Sequence, residues 1–136
     1  MNEDQRLHLQ MIQDIITRMN TNSFQLKTMS ITIVSALLAL YSVNSNHLIL
    51  LLTIIPIVIF WALDSYYLQQ ERKFRGLYNE IISDTTHDIK IYSMPISRYT
   101  GGKYSYFSVF TSPTEYSFYL PLLILIMVIW ALIDLL

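Results

Sequence analysis

The sequence predicts an all-α membrane protein: three transmembrane helices with cytoplasmic helical extensions, assembled as an oligomeric bundle. Three observations predict it. First, Leu26–Val43, Leu48–Tyr67 and Tyr116–Leu136 are each long and apolar enough to cross a bilayer, which takes about 20 mostly apolar residues. In lipid every backbone N–H and C=O has to be paired within its own segment, so each stretch is expected as helix. Second, all nine Lys and Arg fall within residues 1–27 and 72–103, with none in Asn44-Ser45-Asn46-His47 and none after Lys103. The positive-inside rule then sets the N-terminus and the middle region in the cytoplasm, and the tight link and the C-terminus outside. Third, an apolar seam continues past the second span, as described below.

The composition narrows the alternatives. Of 136 residues, 53% are hydrophobic, and three spans use nearly half the chain, so one membrane domain is expected and no large soluble core. A net charge of -1 gives no argument for a nucleic-acid or acidic partner. The absence of cysteine excludes disulfides and thiolate metal sites. The first 25 residues hold no unbroken apolar core and no small-residue cleavage site, so the first span is expected to act as an uncleaved anchor.

Residues 1–25 read as a cytoplasmic amphipathic helix, with His8, Ile12, Ile15 and Met19 on one face. Asn20-Thr21-Asn22-Ser23 is either a break or a polar turn within a continuing helix. The first span, residues 26–43, carries Thr28, Thr32, Ser35, Ala39 and Ser42, and then Asn46, at alternating spacings of four and three. This small, mildly polar stripe suits close helix–helix packing; it also suits the wall of a water-filled pore. The second span, residues 48–67, contains Pro56, which removes a helix hydrogen bond. Leu63, Tyr67, Gln70, Phe74, Leu77 and Ile81 then extend the helix through residues 68–82, with a seam for the N-terminal helix or for other copies.

Residues 83–112 form a basic-aromatic region. Ile89–Met94 and Tyr104–Phe110 have β-like composition around Gly101-Gly102, so either a small hairpin or irregular loops against the membrane face are expected. Ser112, Pro113 and Glu115 have the spacing of a helix cap, a first-turn proline and a reciprocal capping carboxylate, and so start the third span at residues 113–136. Tyr66, Tyr67, Tyr116 and Tyr119 fall at the inner interface, and Tyr41 and Trp130 toward the outer one, depths that amphipathic rings favour.

Motifs for chemistry are sparse. The three glycines, Gly76, Gly101 and Gly102, build no phosphate-cradling loop, and no G-x-S-x-G or H-E-x-x-H occurs. No enzyme activity and no cofactor are expected. Glu80, Asp84, His87 and Asp88 would share a helical face at metal-ligand spacing, but one D-x-x-H-D on a polar stretch reads as a solvated face, and no metal is expected. Asp64 is an intramembrane carboxylate near the cytoplasmic end of the second span. Such a group is a functional candidate unless paired, and Arg72, Lys27 or a polar group of the first span are its candidate partners. Asp134 opposes the macrodipole of the third helix; it reads as a solvated chain end, or as part of an acidic outer mouth in a ring of copies. Lys90, Arg98, Tyr99, Lys103 and Tyr104 combine cations with flat rings. That mix fits a nucleotide or single-stranded nucleic-acid ligand, or a layer resting on anionic membrane lipid.

The segment from Phe60 to Tyr78 contains L-D-x-Y-Y-L-x-x-E-R-x-F-R. It resembles the membrane effectors of Hailong-type bacterial anti-phage defence systems, which are small helical transmembrane channel proteins. The resemblance covers about residues 20–80 and, more loosely, Ser112–Tyr119. It implies a homo-oligomeric ion channel, a tetramer, in the bacterial inner membrane. A DNA oligomer made by a partner nucleotidyltransferase would hold the channel shut. Loss of that oligomer during infection would let it depolarise the cell, an abortive-infection outcome. No binding residue is carried over from the resemblance. A non-conducting membrane scaffold or regulator, acting through its cytoplasmic helices, is the competing expectation.

Overall fold

Two long helices form an antiparallel hairpin, and a third apolar helix packs against one end of it. The computed structural model describes residues 3–83, 90 and 92–135. Helix α1 is Glu3–Asn44 and α2 is His47–Ser83. Two 3-10 turns, Ile96–Arg98 and Gly102–Tyr104, lead to the short α3, Tyr106–Phe110, and then to α4, Pro113–Leu135. The helices α1, α2 and α4 are each long and apolar enough to span a membrane. At 1.5 Å per residue, α1 is about 63 Å long and α2 about 55 Å. Both far exceed the roughly 30 Å of bilayer hydrocarbon, so the hairpin continues well beyond its apolar part.

Asn20-Thr21-Asn22-Ser23 lies inside α1 without a break. The reason is visible at Ser23, whose hydroxyl donates sideways to Asp64 on α2 and does not compete for the backbone of α1. The turn between α1 and α2 is only Ser45-Asn46. Ser45 takes a left-handed conformation, φ 53°, and its N–H donates to the Tyr41 carbonyl at 2.7 Å. Asn46 then caps α2, its side-chain oxygen accepting from Leu48 N–H at 3.0 Å.

Two apolar clusters hold the chain together. Val34, Leu50, Ile57, Tyr119 and Ile126 join α1, α2 and α4 within the apolar segments. Ile12, Ile16, Phe74 and Leu77 join the outlying halves of α1 and α2, with Met94, Ile96 and Tyr99 packed against them. Part of the predicted seam therefore meets the N-terminal helix, but Leu63 is exposed and its neighbours Asp64 and Ser65 are buried instead. On α1 the buried face is His8, Leu9, Ile12 and Ile16, with Ile15 and Met19 only half-buried.

The hairpin alternative for the middle region is not what forms. Among the described residues there is no strand, and Tyr104–Phe110 contributes to a 3-10 turn and to α3. Gly101 and Gly102 adopt positive φ, 77° and 53°, and Ser105 caps α3 by accepting from Ser108 N–H at 3.2 Å. Tyr92 has φ 66°, which breaks any extended run there. Ile89, Ile91 and the Asp84, His87 and Asp88 of the metal reading lie outside the described residues. Helix α4 starts at Pro113 as its sequence predicts, and the Ser112 carbonyl accepts from Glu115 and Tyr116 N–H. The reciprocal side-chain capping is absent: neither the Ser112 hydroxyl nor the Glu115 carboxylate makes a hydrogen bond. Glu115 turns inward instead, toward Lys27.

Candidate functional site

The most unusual chemistry lies where α1, α2 and α4 meet at one end of the apolar core. Lys27 lies 17 residues before the end of α1, and Asp64 lies 17 residues after the start of α2. The tight link therefore brings them to the same level. The Asp64 carboxylate is fully buried. It accepts from Ser23 on one oxygen and from Lys27 on the other, which also takes the Tyr119 hydroxyl at 2.9 Å. Lys27 Nζ further donates to Ser23 Oγ at 2.9 Å. It lies 5.9 and 5.8 Å from the ring centroids of Phe118 and Tyr119, within cation–π range.

A second carboxylate faces the same ammonium. Glu115 is fully buried, with its nearer oxygen 3.9 Å from Lys27 Nζ. Asp64 and Ser65 are neighbours of Glu115 but stand outside hydrogen-bonding geometry. One cation thus serves two buried carboxylates, and only one of them is hydrogen-bonded. Aromatic packing seals this joint. Trp61 stacks on Phe110 at 4.5 Å and on Tyr119 at 5.9 Å, and its Nε1 donates to the Phe110 carbonyl at 3.0 Å. Tyr106 donates to the Ala62 carbonyl at 2.7 Å, tying α3 to α2.

Of the partners the sequence offered Asp64, Lys27 is present, while Arg72 instead donates to the Lys103 carbonyl; the other bond comes from Ser23, which lies before the first span and was not among the candidates. The stripe Thr28, Thr32, Ser35, Ala39 and Ser42 is exposed throughout its length. The face of α1 toward the other helices carries Ser30 and Val34 instead. Thr28 and Thr32 donate to carbonyls four residues back, and Ser42 to one three back. These three hydroxyls are thus satisfied within α1. Asp134 sits beside the start of α2, 3.8 Å from His47 Nε2, and the His47 ring meets Tyr41 and Trp130 edge-on. Proximity to a helix N-terminus supplies the favourable field that its own helix denies it.

The basic-aromatic residues are divided between different tasks. Arg98 pairs with Glu80 at 3.1 Å, and Tyr99 donates to the same carboxylate. Burial first, and then that hydrogen bond, push the Tyr99 hydroxyl above its usual range. Lys103 lies over the Tyr104 ring at 5.3 Å, and Lys90 is exposed. Tyr99 and Tyr104 are half-buried, tilted together at 5.5 Å.

No family model, curated protein or solved structure matches this chain. Among the described residues no cluster of three metal-ligating side chains occurs.

Sequence reasoning missed Glu115, which it assigned to helix capping. The signal was available in the topology. A first-turn acid on the third span must lie level with a last-turn acid on the second, and with a cation opening the first.

Proposed function

We propose that this chain is a homo-oligomeric transmembrane channel of the bacterial inner membrane, gated from its cytoplasmic side. The observation that carries this reading is the outward stripe. Thr28 to Ser42 presents hydroxyls and a small side chain along about 21 Å of α1, and none of this chain's own helices covers it. Lipid gains nothing from such a face, whereas a second copy gains close backbone approach, and a ring of copies gains a polar lining. One copy has too few helices to enclose an aqueous path, so conduction requires several. The buried joint fixes the rotation of α1, and with it which face looks outward. The resemblance of Phe60–Tyr78 to Hailong-type effectors supports depolarisation in anti-phage defence as the outcome. It also supports a nucleotide or DNA-oligomer signal, made by a partner nucleotidyltransferase, as the gate.

The competing scaffold reading draws on the outlying half of the hairpin, where Leu7 and Met11 are exposed on successive turns of α1. A voltage-sensitive dye separates the two in bacteria expressing the full chain. The channel reading expects depolarisation that Thr32→Leu with Ser35→Leu reduces by about tenfold, at unchanged membrane abundance. Unchanged depolarisation in that variant removes the stripe as the lining, and absence of depolarisation with and without the partner gene during infection leaves the scaffold.

A further inference from the structure

Beyond Tyr67, α2 carries a second polar feature, separate from the joint. Arg72, Arg75, Gly76 and Asn79 share one face of the helix, at three-, four- and seven-residue spacings from Arg72. Lys103 closes on them from the following segment. Arg72 Nη1 donates to the Lys103 carbonyl at 2.9 Å, and Gln69 Nε2 donates to the Tyr104 carbonyl at 2.9 Å. Arg72, Arg75, Gly76, Asn79 and Lys103 line a groove of about 390 Å³. Gly76 lets the Tyr104 ring close against α2 at the edge of the groove; a Cβ there would lie 2.5 Å from the Tyr104 hydroxyl.

The charge of this groove is one-sided. Glu71 takes up Arg75, through Nε at 3.0 Å and Nη2 at 2.8 Å. Among the described residues, Arg72 and Lys103 have no carboxylate partner. Two cations without a carboxylate thus line a groove that also offers an amide, from Asn79.

We infer that this groove binds a phosphate group. A guanidinium presents paired N–H donors that match phosphate oxygens, and an ammonium adds a compact charge beside it. A metal cation is excluded by the sign of the field. Depth favours a free phosphate ester over a lipid headgroup. Arg72 lies eight residues past Asp64, about 12 Å along the helix, whereas the headgroup layer is roughly 5–8 Å thick on each side. That preference rests on the proposed membrane position, with Asp64 at the hydrocarbon edge; the charge of the groove does not.

The test is thermal melting of the full chain in nanodiscs of neutral phosphatidylcholine, titrated with inorganic phosphate against chloride at matched ionic strength. Phosphate is expected to raise Tm with its concentration. Arg72→Gln and Lys103→Gln are each expected to weaken the apparent affinity by roughly tenfold or more, while Arg18→Gln on α1 leaves it unchanged. Arg72→Lys keeps the charge but loses the fork, so weakened binding in a variant that melts normally without phosphate separates recognition from misfolding. Stabilisation only in nanodiscs containing phosphatidylglycerol, lost in the same two variants, keeps the phosphate site but overturns the free-ester source. No stabilisation in either lipid, or equal stabilisation of all variants, overturns the site. Melting does not depend on conduction, so a chain that binds phosphate and passes no current keeps the site and removes the channel.

Discussion

At one end of the three-helix apolar core, Lys27 meets Asp64 and Glu115 with both carboxylates fully buried. At the other end, His47 faces Asp134 at 3.8 Å, with side chains 44% and 60% exposed. The two ends use similar ingredients: a basic group, acids and aromatic rings. They differ in what covers them. Trp61, Phe110 and Tyr106 close over the first end, whereas at the second both side chains stay exposed beside the Ser45-Asn46 link. Coverage removes water from the charges, and removal of water sets how much each charge matters. The joint is therefore where a single substitution should be felt across α1, α2 and α4 together.

Lys27→Met gives the sharpest break in this comparison. It leaves two buried carboxylates facing each other with no cation, and breaking a buried pair costs about 3–5 kcal/mol. Chemical unfolding of the full chain in detergent micelles measures it. A loss below about 1 kcal/mol, the range of exposed pairs, would mean that water reaches the joint and that the two ends are energetically alike.

Glu115→Gln should act in the opposite direction and with smaller size. Of the two acids, Glu115 is the one without a hydrogen bond. The amide retains the shape of the side chain and cannot ionise beside Asp64. Stability is expected to rise by about 1 kcal/mol, because Lys27 no longer has to serve a second acid, while the amide stays as unpaired as the carboxyl was. The same change should shrink the cost of Lys27→Met, since one repulsive partner is gone. A double-mutant cycle reads that coupling directly. Additive effects would place Glu115 outside the network.

This contrast also shows how far the sequence could be read. The spans, the tight link, the helix start at Pro113 and the extension of α2 to within a residue of its observed end were legible from apolar length, Pro position and periodicity. Asp64 was legible as the costly group, because a carboxylate inside an apolar run is conspicuous by itself. Glu115 was not, because three residues past Ser112 it has a complete local explanation as a capping residue. Only the three-dimensional proximity of Lys27 turns it inward. The Thr28–Ser42 stripe was legible as a pattern but not as a direction. Periodicity identifies residues that share a face, and only the rotation set by Ser23, Ser30 and Val34 tells which way that face looks. In the middle region, β-branched and aromatic residues left a small hairpin and irregular loops equally open. Ser105 and the two glycines instead close turns locally, and side-chain packing against α2 overrides the weak strand preference.

The smallest effect is expected at the open end. Asp134→Asn removes the charge that faces His47 and leaves the apolar contacts of α4 in place. A carboxylate beside a histidine, with both side chains in water, gains little, because solvent screens any attraction and the ordering of the side chains offsets much of what remains. Asp134 also gains from the α2 N-terminus what it loses at the C-terminus of α4, so the two helix fields partly cancel. The substitution should therefore shift unfolding by no more than about 0.5 kcal/mol, in the same assay that resolves Lys27→Met. A loss several times larger would mean that this end is closed by something the single chain does not supply. Other copies packed around the link would close it, and Asp134 would then be as buried in the assembly as Asp64 is in the chain.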